Sequence, residues 1–276
     1  MNKRGDHVDD EVLDGLLQLA CRVAVEAGDL ALAARHGATL SSADALTKST
    51  ATDLVTVHDR AAERVVVEGI LATRPNDAIV GEEGTDRPGT SGVSWYVDPI
   101  DGTTNFVYDL PAWVTSVAAG DDSGMLVGAV YVPPMGELFA AAVGRGATLD
   151  ATAIRCSDQT DLALALVATG FSYDPAHRRR QAAVVEHLIG SVRDIRRTGS
   201  AALDLCYAAA GRVDAYFEHG LNRWDMAAGE LIARESGCRS GDHRGGPVVT
   251  NDLLVAAPGI FDGMASLLSN ARRATS

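Results

Sequence analysis

The segment Asp98-Pro99-Ile100-Asp101-Gly102-Thr103-Thr104 sets two carboxylates three residues apart. Pro99 fixes the backbone between them, and Gly102 follows at once. A turn here aims Asp98, Asp101 and the Ile100 carbonyl at one point. Three hard oxygens suit Mg²⁺, which takes oxygen ligands and keeps several waters. Gly102, Thr103 and Thr104 would open a helix or turn whose free N–H groups hold a phosphate oxygen. One short loop then offers metal ligands on one side and anion donors on the other, as metal-assisted phosphoryl chemistry requires. The same residues also compose an ordinary turn, because Asp, Pro and Gly each favour one. The D-x-D-x-D-G spacing of an EF-hand loop is absent.

Two further segments carry acids in telling places. Gly81-Glu82-Glu83-Gly84 follows a short apolar run. Adjacent carboxylates about 4 Å apart repel by about 1 kcal/mol in water and about 4 kcal/mol at an effective dielectric of 20, so a nearby cation would relieve them. A solvated acidic loop is the other reading. Both Glu82 and Asp98 fall at strand ends, where α/β sites form. In Trp224-Asp225-Met226-Ala227-Ala228-Gly229, Asp225 opens a helix. There it reads equally as an ordinary N-cap. The small residues after it allow that helix to pack closely.

The elements that must position these acids are legible in outline. Apolar residues at helical spacing (Val12, Leu16, Leu19, Val23, Ala27, Leu30) predict a long amphipathic helix from Val8 to about Ala34. A polar stretch, Thr39–Thr52, follows. A second helical pattern runs Asp59–Thr73 and stops at Arg74-Pro75. Ala78–Val80 and Ser94–Val97 read as strands, each leading into an acidic loop. Val114–Ala119, Met125–Val132 and Glu137–Val143, joined by Asp/Gly and Pro/Gly turns, read as an antiparallel meander. Small and polar residues at Gly146–Thr152 mark a boundary. Beyond it, strands are expected at Leu162–Thr169, Asp194–Arg197, Val213–Glu218 and Leu253–Ala257. Helices are expected at Arg178–Ile189, Ser200–Ala210, Asp225–Ser236 (ended by Gly237) and Ile260–Leu268. Mixed elements with a meander point to layered sheets and helices.

The chain of 276 residues is long enough to bury a large core without a metal or disulfide staple. Apolar residues at 46% and charged residues at 22% are ordinary for a globular protein and exclude disorder. A formal net charge of −13 makes a poor general nucleic-acid binder. It still permits an anionic substrate if cations stand between. Cys21, Cys156, Cys206 and Cys238 form no C-x-x-C pair, so reduced, mostly buried thiols in a cytoplasmic protein are expected. Met1–Glu11 is polar and does not read as a secretory signal, and no apolar run reaches membrane-spanning length.

Taken together, Gly81-Glu82-Glu83, Trp95-x-x-Asp98-Pro99-Ile100-Asp101-Gly102-Thr103-Thr104-Asn105-Phe106 and Trp224-Asp225-x-Ala227-Ala228-Gly229 closely resemble the inositol monophosphatase family. Lys48-Ser49, Val55-Thr56-x-x-Asp59 and Thr198-Gly199-Ser200-Ala201-Ala202-Leu203-Asp204-Leu205 extend the resemblance over roughly Ala20 to Ala257. It implies an α+β fold, a layered α/β/α/β/α sandwich of the inositol monophosphatase and fructose-1,6-bisphosphatase type. Residues 1–150 would form an α+β region with the antiparallel sheet and most metal ligands. Residues 151–276 would supply Asp225 and the substrate wall.

The resemblance also implies roles. Glu82 would bind the first metal and help order the attacking water; Asp98 would bridge two metals; the Ile100 carbonyl would complete the first site. Asp101 and Asp225 would hold the second metal, and a weaker third would lie near Glu82. Gly102 and Thr103 N–H groups would bind phosphate. Asp59 would hydrogen-bond Thr103 and help position the water. Glu218 would accept bonds from inositol ring hydroxyls, with Gly199, Ser200, Ala201 and Asp225 beside the substrate. His177, Arg178, Arg179 and Arg180 read mainly as a solvated helix start, in a segment bordering the entrance. Gly84 stands where the family often has serine, and Thr104 where histidinol-phosphate and 3′-phosphoadenosine-5′-phosphate phosphatases often have lysine.

The implied activity is Mg²⁺-dependent hydrolysis of inositol monophosphate by a metal-activated water, that of a phosphoric monoester hydrolase. Implied with it are a small phosphorylated polyol substrate, a homodimer and lithium sensitivity. Alternatives are the same chemistry on fructose 1,6-bisphosphate, histidinol phosphate or 3′-phosphoadenosine 5′-phosphate, and a regulatory, transcription-associated role. No G-x-S-x-G elbow or C-x5-R loop argues for a covalent route.

Overall fold

A computed structural model describes residues 9–37, 46–47, 54–55 and 57–275. Lys48, Ser49, Thr56 and most of the polar stretch 39–52 lie outside the described residues. In chain order the elements are α1 (Asp10–Gly37), β1 (Leu46–Thr47), β2 (Leu54–Val55), α2 (Val57–Thr73), β3 (Ala78–Gly81), β4 (Asp86–Arg87) and β5 (Ser94–Asp101). Then come α3 (Thr103–Val107), β6 (Val114–Asp121), β7 (Gly124–Val132), β8 (Glu137–Ala142), β9 (Ala147–Leu149) and β10 (Thr152–Ile154). The remainder are β11 (Leu166–Thr169), α4 (Pro175–Leu188), β12 (Asp194–Arg196), α5 (Ala201–Ala209), β13 (Ala215–His219), α6 (Arg223–Glu235), β14 (Arg239–Gly241), β15 (Asp252–Ala256) and α7 (Phe261–Thr275).

They stack in five layers. The first sheet has eight strands in the order β10-β9-β8-β7-β6-β5-β3-β4, antiparallel except for the parallel β3–β5 pair. The second has five, ordered β12-β11-β13-β15-β14, with β12, β11 and β13 parallel. α1 and α2 cover the outer face of the first sheet. Leu13, Leu16, Leu19, Val23, Ala27 and Ala31 of α1 are buried there with Val127 and Ala129 of β7. β7 alternates, as a strand between two covered faces must. Val130 and Val132 face the middle layer, where α5 and α6 lie between the sheets with Leu203, Leu205, Leu231, Tyr216 and Val255. α4 and α7 close the far side on Val167, Phe217 and Leu254. This is the α/β/α/β/α sandwich expected.

Three sequence-based expectations need correction. β5 does not stop at Val97 but continues through Pro99 to Asp101. Its register with β6 shifts between Asp98 and Asp101, so the proline sits in a bulge where no ladder N–H is required. Leu162–Thr169 is not one strand: a 3₁₀ turn at Leu162–Leu164, capped by the Asp161 side chain, precedes β11. Asp225 is not the N-cap of α6. Asn222 is, and Asp225 occupies the third helical position. The small and polar residues of 146–152 fall in the β9–β10 edge hairpin of the first sheet.

Candidate active site

The β5 bulge orients the acidic segment. Ile100 buries its side chain completely in the core beneath α1 and α2. Its carbonyl accepts the Thr103 hydroxyl at 3.1 Å, and the Pro99 carbonyl accepts Thr115 Oγ1 at 2.8 Å. Gly102 then turns the chain with φ +94°. A Cβ there would stand 3.0 Å from the Ala112 carbonyl oxygen, so both conformation and space demand glycine. α3 begins at the next residue.

α2 supplies two buried acids four residues apart, Asp59 and Glu63, on one helix face. Asp59 Oδ1 accepts from Thr103 Oγ1 at 3.1 Å. Glu63 accepts from the N–H of Glu83 at 2.7 Å, the N–H of Thr85 at 3.2 Å and Thr85 Oγ1 at 2.6 Å. Its carboxylate lies against Gly81, in space a side chain there would need. Glu63 therefore shapes the turn that carries Glu82. The parallel β3–β5 register, with Gly81 opposite Val97, sets Glu82 beside Asp98, and the Glu82 N–H donates to the Val97 carbonyl at 3.0 Å.

The remaining acid comes from the middle layer. Asp225 Oδ2 accepts from the Asn222 N–H at 2.6 Å in a capping box. α6 reaches the first sheet because Gly128 of β7 has no side chain; a Cβ there would stand 2.9 Å from Ala228 Cα. Likewise a Cβ on Gly229 would stand 2.7 Å from Leu205 Cβ of α5. α5 approaches from the other side. Its N-cap Ser200 donates to Asp101 Oδ2 at 2.7 Å, as does the Ala202 N–H at 2.7 Å.

These elements enclose a cavity of about 440 Å³. Glu82, Asp98, Ile100, Asp101, Gly102, Thr103, Gly199, Ser200, Ala201, Glu218 and Asp225 all line it. Asp59 does not; it is fully buried behind Thr103. Phe171, Ser172 and Tyr173 form the entrance wall. Arg178 braces that wall through the Ser172 carbonyl at 2.9 Å, rather than facing the cavity.

The cavity is hostile to its own charges. Burial pushes Asp98 well above the ordinary carboxylate range, and Glu82, Asp101 and Asp225 push it further. Burial likewise raises Asp225, with Asp101 and Glu82 adding. Burial lifts Asp101 to about 6, against the opposing bonds from Ser200 and Ala202. Burial lifts Glu218 to about 7, although Tyr216 Oη donates to its Oε2 at 2.6 Å.

Asp98 Oδ1 is buried with no hydrogen-bond partner. An orphaned carboxylate oxygen is costly unless a cation meets it. The donors nearby are hard oxygens, the chemistry Mg²⁺ prefers. Among the described residues no three acidic, histidine or cysteine side chains already form a cage around one point. Mg²⁺ keeps several waters and takes substrate phosphate oxygens, so its protein ligands need not form a closed cage. The residues present therefore fit such an ion.

Sequence reasoning gave no individual role to Glu63, Asp204, Arg197 or Tyr173. Glu63 carried a usable signal: an acid four residues from Asp59 on an otherwise apolar face. Asp204 lies in the cavity wall on α5, 1% exposed, and burial raises it to about 8. Arg197 and Tyr173 line the cavity from loops, where no periodicity marks them.

The inositol monophosphatase family model matches residues 12–273. An inositol-1-monophosphatase of Mycobacterium leprae is 46% identical over 232 residues, 80% of each chain. The Nus factor SuhB of Escherichia coli is 40% identical over 256 residues, 90% of this chain and 94% of its own. The crystal structure of the extragenic suppressor protein SuhB from Bartonella henselae superposes with a TM-score of 0.86 at 31% identity, covering 92% of this chain and 98% of that one. By fold, motif order and sequence alike, the chain belongs to the inositol monophosphatase family.

Proposed function

We propose that this chain, a phosphoric monoester hydrolase by family, hydrolyses inositol monophosphate to inositol and phosphate with Mg²⁺ as its cation. Asp98 carries the reading: a buried, unpartnered carboxylate oxygen in one cavity with Glu82, Asp101, Asp225 and Ile100. Glu82, Asp98 and the Ile100 carbonyl would hold one ion, and Asp98, Asp101 and Asp225 a second. A weaker third would lie near Glu82. Bound there, Mg²⁺ supplies Lewis acidity, lowering the pKa of water and offsetting charge on the leaving alkoxide.

The chain's own residues place the reactants. The Gly102 and Thr103 N–H groups open α3, outside its internal hydrogen bonds, and receive phosphate oxygens. Thr103 Oγ1, 3.1 Å from Asp59 Oδ1, orients the attacking water, and Glu82 helps from the opposite wall. Asp59 draws on the proton through Thr103. Glu218 accepts from ring hydroxyls, with Gly199, Ser200, Ala201 and Asp225 walling the ring. The same reading carries a homodimer, inhibition by lithium and a cytoplasmic address. No helix among the described residues is long and apolar enough to cross a membrane.

A second reading is favoured by the E. coli relative named a Nus factor: a transcription-associated role. The net charge of −13 weighs against direct RNA contact and favours a basic protein intermediary.

The test is phosphate release with Mg²⁺ from inositol 1-phosphate, histidinol phosphate, fructose 1,6-bisphosphate and 3′-phosphoadenosine 5′-phosphate, with Asp98→Asn and Glu218→Ala in parallel. Preference for inositol 1-phosphate, abolished in the first variant and weakened in the second, is expected. Preference for another phosphate would keep the metal chemistry and discard the inositol assignment. No release from any, with Mg²⁺ bound, would move the weight to the second reading.

A further inference from the structure

A second cavity, also about 440 Å³, lies on the other side of the Gly170–Glu218 wall. Its volume falls within the range of small-molecule sites, about 300–1,000 Å³. Its chemistry is opposite to the first. In a chain of net charge −13, it is lined by His177, Arg180, His219, His243, Arg244 and Arg272. These come from α4, the end of β13, the 242–246 turn and α7, so four separate segments bring basic groups to one concavity.

Part of this charge is neutralised within the protein. Asp252 pairs with Arg272 through both oxygens, at 3.0 and 3.1 Å, and meets His243 Nδ1 at 2.9 Å. Those contacts fix Arg272 and the buried His243 in the floor. Arg180 and Arg244 form no ion pair among the described residues and stand at the rim. The groups also disfavour each other's charge. Burial lowers the His219 pKa, and Arg272, His243 and His177 lower it further against the opposing pull of Asp252. An anion entering the cavity would relieve that repulsion and meet a guanidinium fork on more than one side.

We propose that this second cavity is a binding site for a small polyanion, a molecule bearing two or more phosphate or carboxylate groups. Arg180 and Arg244 engage it at the rim together with the exposed His177 and His219, above the floor that Arg272 and His243 form. Because Gly170, Glu218 and His219 belong to both cavities, its occupant rests against the residue assigned to the polyol ring. Binding itself is independent of the hydrolytic reading, since it calls on none of Glu82, Asp98, Asp101 or Asp225.

The test titrates inorganic pyrophosphate into the full-length, metal-stripped chain in EDTA, where the carboxylates of the first cavity repel it. Isothermal titration calorimetry reads affinity, and imidazole NMR resonances read location. Expected are binding that falls steeply with added salt, a shifted signal from His177, which lines this cavity alone, and at least tenfold weaker affinity in Arg180→Ala/Arg244→Ala. Both arginines are exposed, so an unchanged melting temperature of the variant confirms that its fold is intact. No binding below about 10 mM, or full affinity in the double variant, would overturn the proposal.

Discussion

The Glu218 carboxylate rests against the Cα of Gly170, in the space that any larger residue at position 170 would need. Tyr216 Oη holds it there at 2.6 Å. The acid assigned to the polyol ring is thus placed by a strand neighbour and by a missing side chain on β11's far end. Hydrogen bonds to a charged group contribute about 1.5–3 kcal/mol, or about 10–100-fold. We expect Glu218→Ala to raise KM for inositol 1-phosphate by about that factor, with a smaller change in kcat. Gly170→Ala, which displaces the carboxylate, should act in the same direction. Steady-state kinetics on both variants check this, and an unchanged KM in Glu218→Ala would remove Glu218 from the ring site.

Thr103 and Asp59 should behave as one unit. Either Thr103→Ala or Asp59→Asn is expected to lower kcat by about 10²–10⁴-fold, the usual share of positioned proton transfer. Thr103→Ser should restore most of the loss because it keeps the hydroxyl. The double variant should be little worse than either single one, since linked catalytic groups are non-additive. Fully additive losses would show that the pair acts separately.

Mg²⁺ should stabilise the chain and Asp98 should carry that effect. A cation binding only the folded state adds about 2.7 kcal/mol at a hundredfold excess over Kd. For a domain of this size that is a rise of about 5 °C in Tm. Asp98→Asn should remove most of the rise. Without metal it should melt higher than the parent, because a buried carboxylate has gone. Thermal scans with and without Mg²⁺ separate the two effects.

Glu63 offers a test of indirect support. It does not line the cavity, yet it fixes the turn bearing Glu82 through three hydrogen bonds. Residues that orient metal ligands typically contribute about 10–100-fold in metal affinity. Glu63→Ala is expected to weaken Mg²⁺ activation by that factor while kcat at saturating Mg²⁺ largely returns. A persistent loss at saturation would give Glu63 a direct role.

The pH dependence of the metal-free chain follows from raised carboxylates. Asp101 titrates at about 6, Glu218 at about 7 and Asp204 at about 8, against about 4 in the unfolded chain. Stability from such groups is fully present below the unfolded value and is lost as pH rises through the folded values. Metal-free Tm should therefore fall steadily from about pH 4 to pH 8. Asp204→Asn should flatten the upper part of that fall.

Much of this was readable in the residues, for definite reasons. α1, α2, α6 and the β6–β8 meander announce themselves because one face or both is buried over many residues, so the period is unmistakable. β4, β9 and β14, two or three residues each, owe their form to a paired neighbour rather than to their own pattern. The end of β5 was hidden by Pro99, which reads as a breaker until the bulge is seen. In the site, acids clustered in one segment declared themselves. Asp204 and Arg197 did not, because they meet the other acids only across the cavity. Nothing in linear spacing records that.

One consequence concerns the order in which the chain leaves the ribosome. Glu82, just past β3, and Asp98 and Asp101 on the adjacent β5 belong to the first sheet, but Asp225 arrives on α6, whose close seat on that sheet needs Gly128 to admit Ala228. More than a hundred residues of synthesis separate the first three of these acids from the fourth. A nascent chain therefore carries a crowded acidic sheet edge before the middle layer brings the Ser200 and Ala202 hydrogen bonds to Asp101. With these four acids as the proposed cation ligands, a complete site would form only once two separately synthesised halves have docked.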